Sequence, residues 1–239
     1  MSKLPFHDRT VAGRALADKL SGYRDQQDAL ILALPRGGVP VAYEIALSLN
    51  LPLDVLVVRK VGAPVHKEFA LGAVAAGGIQ IVNEDALRSC QVSDGQFAQL
   101  AKAELAEVKR REAMYRDHLN ALDLHDKCII VVDDGLATGA TMRAAVEAVR
   151  RGGARRVVMA VPVGALAALN ELTPWIDESV WISAPEPFYA VGQWYVDFEQ
   201  TSDEEVQRLL ALANAHRHSG QIRYVDTSAT RPPTFIPGS

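Results

Sequence analysis

The chain is poor in the features that would take it out of the ordinary globular class. Cysteine occurs only at Cys90 and Cys128 in 239 residues, never as a Cys-x-x-Cys pair. Neither a disulfide framework nor a zinc site is therefore expected. Charge of one sign is also scarce. A formal net charge of −4 gives no electrostatic footprint for nucleic acid or for an anionic membrane surface. No apolar run approaches the roughly 20 residues that a membrane span requires. The opening Met1-Ser2-Lys3-Leu4-Pro5-Phe6-His7-Asp8 has no hydrophobic signal core, so a cytoplasmic setting is expected. Internal repeats are absent. So are the two best-known phosphate fingerprints: no Lys follows Gly139, as a P-loop needs, and no Gly-x-Gly-x-x-Gly turn occurs. The 49% hydrophobic and 23% charged residues are those of a chain that can bury a core.

The most informative stretch is residues 128–142. Cys128 to Val132 is a continuous apolar, β-branched run, the pattern of a strand buried on both faces of a parallel sheet. Asp133 and Asp134 end it. A turn with Gly135 and Gly139 follows, and Ala140 to Arg151 reads as a helix. Paired carboxylates therefore stand at the carboxyl edge of a central strand, where open α/β sheets hold ligands. The helix start presents free N–H groups suited to a phosphate, and Thr138 and Thr141 add hydroxyls. Acids first and a hydroxyl-glycine turn second suit a sugar diol beside a monophosphate.

The rest of the chain alternates strands and helices. Asp8 caps a helix to Leu20. Ala29 to Leu34 is a short apolar strand. Pro35-Arg36-Gly37-Gly38 then turns into a helix from about Val41 to Leu49. The two glycines expose N–H groups, and Arg36 can meet two phosphate oxygens. Leu53 to Val58 reads as the next strand, ending in Arg59-Lys60 and a Gly/Pro loop through Glu68 that suggests a basic flap. Leu71–Ala76 and Ile79–Val82, joined by Gly77-Gly78, form a hairpin. Ser93 to Gln96 is a capping box opening a long helix to about Leu119. Its Lys109-Arg110-Arg111 cluster is either an RNA contact or a solvated helix face diluted by Glu104, Glu107 and Glu112. Arg155–Val161 and Glu178–Ser183 are further strands. Between Ala184 and Phe198 lies an aromatic-rich, proline-bracketed segment suited to walling a flat heterocycle. Thr201 to Glu205 starts a final helix to about Ala215. We read a single α/β domain over 1–218, with a helical insertion at about 84–122 and a weakly ordered tail over 219–239.

The string Val131-Val132-Asp133-Asp134-Gly135-Leu136-Ala137-Thr138-Gly139-Ala140-Thr141 resembles the PRPP-binding signature of type I phosphoribosyltransferases, nearest the adenine-type version. The resemblance extends in order over most of residues 28–200. It implies a parallel central sheet with helices on both faces and a hairpin flap. It also implies transfer of the 5-phosphoribosyl group of PRPP to a small nitrogenous acceptor, such as a nucleobase, with Mg²⁺ and release of pyrophosphate. On that resemblance Asp133, Asp134, Gly135, Ala137, Thr138, Gly139, Ala140 and Thr141 hold PRPP. Asp133 and Asp134 form the metal environment, and Arg36, Gly37 and Gly38 hold pyrophosphate. Arg59 and Lys60 stabilise the leaving group. Adenine-type enzymes carry a similar Arg-Lys-x-Gly-Lys-Leu-Pro flap, but Ala63 here replaces its later Lys. Phe188 and Asp197 resemble the base-binding residues of hypoxanthine-guanine enzymes. Those enzymes have an Asp where this chain has Ala137, which argues against a 6-oxopurine acceptor. Glu68, with His66 behind it, is the nearest general-base candidate. A homodimer is the assembly common in this family. The competing reading is a PRPP-sensing regulator or nucleic-acid-binding protein of the same fold with little catalysis.

Overall fold

The structure, a computed structural model, describes residues 4–64, 66, 69–116 and 122–220. The elements in chain order are α1 (Arg9–Lys19), β1 (Ala29–Ala33), α2 (Gly38–Leu49), β2 (Leu53–Val55), β3 (Val58–Gly62), β4 (Ala70–Ala75) and β5 (Ile79–Val82). They continue with α3 (Glu84–Ser89), α4 (Asp94–Tyr115), β6 (Cys128–Val132), α5 (Ala140–Arg151), β7 (Arg156–Val163), α6 (Leu166–Leu172), β8 (Glu178–Ser183) and α7 (Asp203–Gly220).

Five strands form a parallel sheet in the order β2-β1-β6-β7-β8. The two-residue period of a strand decides which side chains meet which helices. Ile130 and Val132 of β6, with Ile31 and Ala33 of β1, join one core with Leu16 of α1, Ile45 of α2 and Leu210 of α7. Ile129 and Val131 point the other way, to Met142, Val146 and Val149 of α5 and Leu169 of α6. Every residue of β6 is buried. Helices cover both faces, as the continuous apolar run implied.

A second, antiparallel sheet has the order β3-β4-β5. Ala73, Ala75 and Ile81 pack it against Ala144 and Ala148 of α5. The β4–β5 connection runs through Gly77 and Gly78 at φ +73° and +78°, a left-handed pair that glycine adopts without strain. Here one boundary differs from expectation. The apolar run at 53–58 is not one strand: β2 ends at Val55, Leu56 and Val57 cross over, and β3 begins at Val58. The Leu56 N–H still donates to Ala33 (3.0 Å), while Val57 already accepts from Ala76 (3.1 Å). An unbroken hydrophobic run carries no mark of a change of sheet, so Arg59 and Lys60 lie within a strand and not at the end of one.

The insertion comprises α3 and α4, and the Ser93–Gln96 capping box is formed. Helix α4 ends at Tyr115, α2 starts at Gly38, and α7 runs to Gly220. Of the expected carboxyl-terminal tail, residues 221–239 lie outside the described residues. Among the described residues no helix is long and apolar enough to cross a membrane.

Candidate active site

Strands β1 and β6 are hydrogen-bonded neighbours in parallel register, so the turns that follow them emerge side by side at the same sheet edge. The two turns interlock. A Cβ on Gly37 would lie 2.1 Å from Asp134 Oδ2. One on Gly38 would lie 2.6 Å from the Val132 carbonyl and 3.0 Å from the Asp133 Cα. Gly37 sits at φ −60°, ψ −33°, an ordinary helical conformation, so its lack of a side chain serves close approach and not backbone freedom. Gly139 is different: its φ of +73° is left-handed, and it delivers the chain into the amino terminus of the 12-residue α5. The N–H groups of the first turn have no partner within the helix, and they open beside the exposed Thr138 and Thr141. Gly135 is closed over by Val191, whose Cγ1 would lie 2.4 Å from an added Cβ.

The acids are partly buried, and their electrostatics differ. Asp133 accepts from the Asp134 N–H (2.9 Å). Burial, and then the neighbouring Asp134 charge, push its carboxyl well above the ordinary carboxylate value. Burial also raises Asp134, but the Arg9 guanidinium beside it opposes the rise. Arg9 Nε and Nη2 reach Asp134 Oδ2 at 2.9 and 2.8 Å. Its Nη1 donates to the Glu199 carbonyl (2.7 Å), and the guanidinium lies 4.0 Å from the Phe198 ring centre. The Tyr195 hydroxyl donates to the Asp134 carbonyl (2.6 Å). Sequence reasoning passed over Arg9. Its only local sign is a place just after the Asp8 cap, where the Asp8 carboxylate accepts from the Val11 N–H (2.8 Å). The pairing spans 125 residues and arises from the packing of α1.

Arg9 and Asp134 are only 12% and 14% exposed, so removing one partner strands the other charge in a dry site. Arg9→Ala should lower stability by about 3–5 kcal/mol. Arg9→Lys should recover only part of the loss, because an ammonium cannot reproduce the fork. Denaturant unfolding of the three proteins measures both effects.

The remaining predicted residues fall in distinct places. Arg36 stands on the turn after β1 with one terminal nitrogen 3.9 Å from Asp203, and the Pro35–Arg36 peptide is cis. Arg59 and Lys60 are adjacent on β3 and therefore project to opposite faces. Arg59 is bound to Glu104 of α4 (2.7 Å). Lys60 lines a cleft of about 520 Å³ with Thr138, Gly139, Ala140 and Arg143. That cleft touches the helix start but not Asp133, Asp134 or Arg36, so it lies to one side of the interlocked turns. His66 is exposed on the β3–β4 loop, and Glu68 lies outside the described residues. Phe188 is partly buried against Trp194 (centroids 6.0 Å) beside a small cluster with Phe6, Ala12, Val163 and Tyr195, and it also lines a hollow with Ala165, Leu166 and Pro187. Asp197 is exposed, and its carboxylate accepts from the Glu199 N–H (3.1 Å).

Residues 7–190 match the family model described as "Phosphoribosyl transferase domain". The chain belongs to the phosphoribosyl transferase domain family. It is 41% identical to TT1426 from Thermus thermophilus, whose crystal structure superposes with a TM-score of 0.78 over 87% of this chain and 98% of that one. It is 40% identical over 227 residues to two Mycobacterium tuberculosis proteins, "Putative phosphoribosyl transferase Rv0571c" of strain H37Rv and "Putative phosphoribosyl transferase MT0597" of strain CDC 1551. The match takes in 95% of this chain but 51% of each relative, so the chain spans about half the length of those curated proteins. As a phosphoribosyl transferase domain, it carries the parallel five-stranded sheet with helices on both faces that its sequence resembled.

The donor set also bears on Mg²⁺. Among the described residues no group of three or more His, Cys, Asp and Glu side chains is placed to hold a metal. Two adjacent carboxylates fit a hard cation that takes one or two protein ligands and draws the rest of its shell from water and substrate phosphate oxygens.

Proposed function

We propose that this domain transfers the 5-phosphoribosyl group of PRPP to a nitrogenous acceptor, a nucleobase or small amine, and releases pyrophosphate. The observation that carries this reading is the interlock of Gly37 and Gly38 with Asp134 and Asp133, beside the amino terminus of α5. It sets two anion-binding turns on either side of one pair of carboxylates. Such an order of groups suits a sugar with a phosphate at one end and a diphosphate at the other.

In this reading the α5 N–H groups and the Thr138 and Thr141 hydroxyls bind the 5-phosphate. Asp133 and Asp134 accept hydrogen bonds from the ribose diol and would hold Mg²⁺, which when bound neutralises charge on the diphosphate. The acceptor nitrogen forms a bond to the anomeric carbon as that carbon's bond to the pyrophosphate oxygen breaks. The sugar passes through a cationic, oxocarbenium-like state, while the departing oxygen takes the bonding electrons. Arg36 and the Gly37–Gly38 amides meet that developing charge, joined by Arg59 from the flap. Lys60, beside Thr138 and Gly139, is better sited to serve the 5-phosphate half. Ala137 leaves no carboxylate at the base position used by hypoxanthine-guanine enzymes, which favours acceptors that need no proton removed at that point.

The test is pyrophosphate release from PRPP with Mg²⁺ across a panel of nucleobases and small amines. One acceptor should support steady turnover. PRPP binding with no turnover on any acceptor would overturn the transferase reading and leave a sensor of PRPP.

A further inference from the structure

Helix α4, the core of the insertion, holds Arg59 directly near its middle and, near its end, backs the α7 carboxylate that faces Arg36. In the middle, Glu104 takes the Arg59 Nε (2.7 Å) and leaves both terminal amino groups of that guanidinium free. At the end, the buried Tyr115 donates its hydroxyl to Asp203, the first residue of α7, and Asp203 faces Arg36. The helix itself is well anchored. Arg116, next after Tyr115, forks onto Asp54 of β2 at 2.9 and 3.0 Å, with both side chains nearly buried. Gln207 of α7 donates to the Met114 carbonyl (2.6 Å). Phe97, Ala101 and Val108 sit in the same core as the sheet.

We propose that α4 is a brace that presets Arg36 and Arg59 for the diphosphate, with Glu104 and Asp203 as positioning residues. The inference rests on the PRPP reading above. Long arginine side chains lose much rotamer freedom when they grip an anion, and holding them in advance removes part of that cost. Arg59 and Arg36 are 36% and 33% exposed, so these pairs add little to stability themselves. Their effect is on geometry: Glu104 occupies one edge of the Arg59 guanidinium, and Asp203 draws one terminal nitrogen of Arg36 by its charge, leaving other edges for phosphate oxygens.

The test is calorimetric titration of PRPP with Mg²⁺ into the full chain and its variants. Glu104→Ala should weaken PRPP binding on the order of 3- to 10-fold, the equivalent of one immobilised side chain. In an Arg59→Ala background the same change should do nothing further. Asp203→Asn should behave likewise against Arg36→Ala. Tyr115→Phe, which removes only the hydroxyl, should shift affinity in the same direction as Asp203→Asn. A Glu104→Ala effect that is equal in both backgrounds, absent, or reversed to tighter binding would overturn the brace while leaving the PRPP reading intact. No PRPP binding by the unaltered chain would overturn both.

Discussion

Asp133→Asn should abolish productive binding of PRPP and leave the protein at least as stable as before. The carboxylate is expected to accept from sugar hydroxyls, and charged hydrogen bonds contribute about 1.5–3 kcal/mol each. Losing two of them weakens affinity by about 100-fold or more. Stability moves the other way because burial and the adjacent Asp134 disfavour the Asp133 anion. The linkage sign follows from the raised folded value. Below the ordinary carboxylate value of 3.8 the stabilisation from the bound proton is fully present. It is lost as pH rises through the folded value. Above the ordinary value the folded protein must either keep a proton that the unfolded chain has released or hold a buried charge, and Asn carries neither cost. Thermal midpoints of the two proteins should converge in acid and separate toward neutrality, with the Asn variant higher. Asp134→Asn provides the contrast. It also loses PRPP, but it strips Arg9 of its partner and should be destabilised. If both variants bind PRPP like the unaltered protein, the acids have no part in the site.

Gly37→Ala is the second change with a large expected effect. The added methyl would stand 2.1 Å from Asp134 Oδ2 and 2.7 Å from its Cγ, so either the pyrophosphate turn or the acid must retreat. The backbone conformation of Gly37 suits alanine, so the cost is steric alone. Overpacking of this kind costs about 1–3 kcal/mol in stability. The functional loss should be larger. A displacement of about 1 Å in a positioned site reduces rate by about 100-fold, and here it would fall on the turn proposed for the diphosphate and on the acid proposed for the diol at once. Turnover with PRPP, or its binding, measures the loss. Gly22→Ala is the control, because no atom lies within 4 Å of an added Cβ there, and it should match the unaltered protein. Retention of full activity by Gly37→Ala would mean that the two turns do not share a ligand.

The parts of this site that were legible in the sequence are those made by consecutive residues. The β6 run announces burial by its β-branched continuity. The acids, glycines and threonines after it lie within one strand-turn-helix, where spacing alone dictates geometry. Gly77-Gly78 likewise marks a hairpin because only a left-handed pair closes it. What was not legible depends on which elements meet. Arg9 reaches Asp134 across 125 residues, and Tyr115 reaches Asp203 across 88. Neither partner carries a local sign of the other. The separation of Arg59 from Lys60 was hidden for a related reason. An apolar run from Leu53 to Val58 looks like one strand, and only tertiary pairing shows that its second half belongs to another sheet. Phe188 illustrates the limit of composition. An aromatic segment near the sheet edge suggested a stacking face, but composition did not show that Phe188 would pack beside Trp194.

The insertion is where the chain departs most from the smallest arrangement its motifs require. The strands and turns of the site could be held without α4, but Arg59 would then lose Glu104 and Asp203 would lose the Tyr115 hydroxyl. On the proposed reading, the hold of α4 on Arg59 and its support of Asp203 behind Arg36 give the extra residues a physical purpose.

The most direct measurement is a crystal structure of the domain with PRPP bound. The account predicts the 5-phosphate within hydrogen-bond reach of the backbone N–H groups between Ala137 and Thr141, the diol against Asp133 and Asp134, and the diphosphate beside Arg36, Gly37 and Gly38. PRPP seated instead deep in the cleft lined by Asn83, Arg143 and Trp175, with the acid pair untouched, would contradict it.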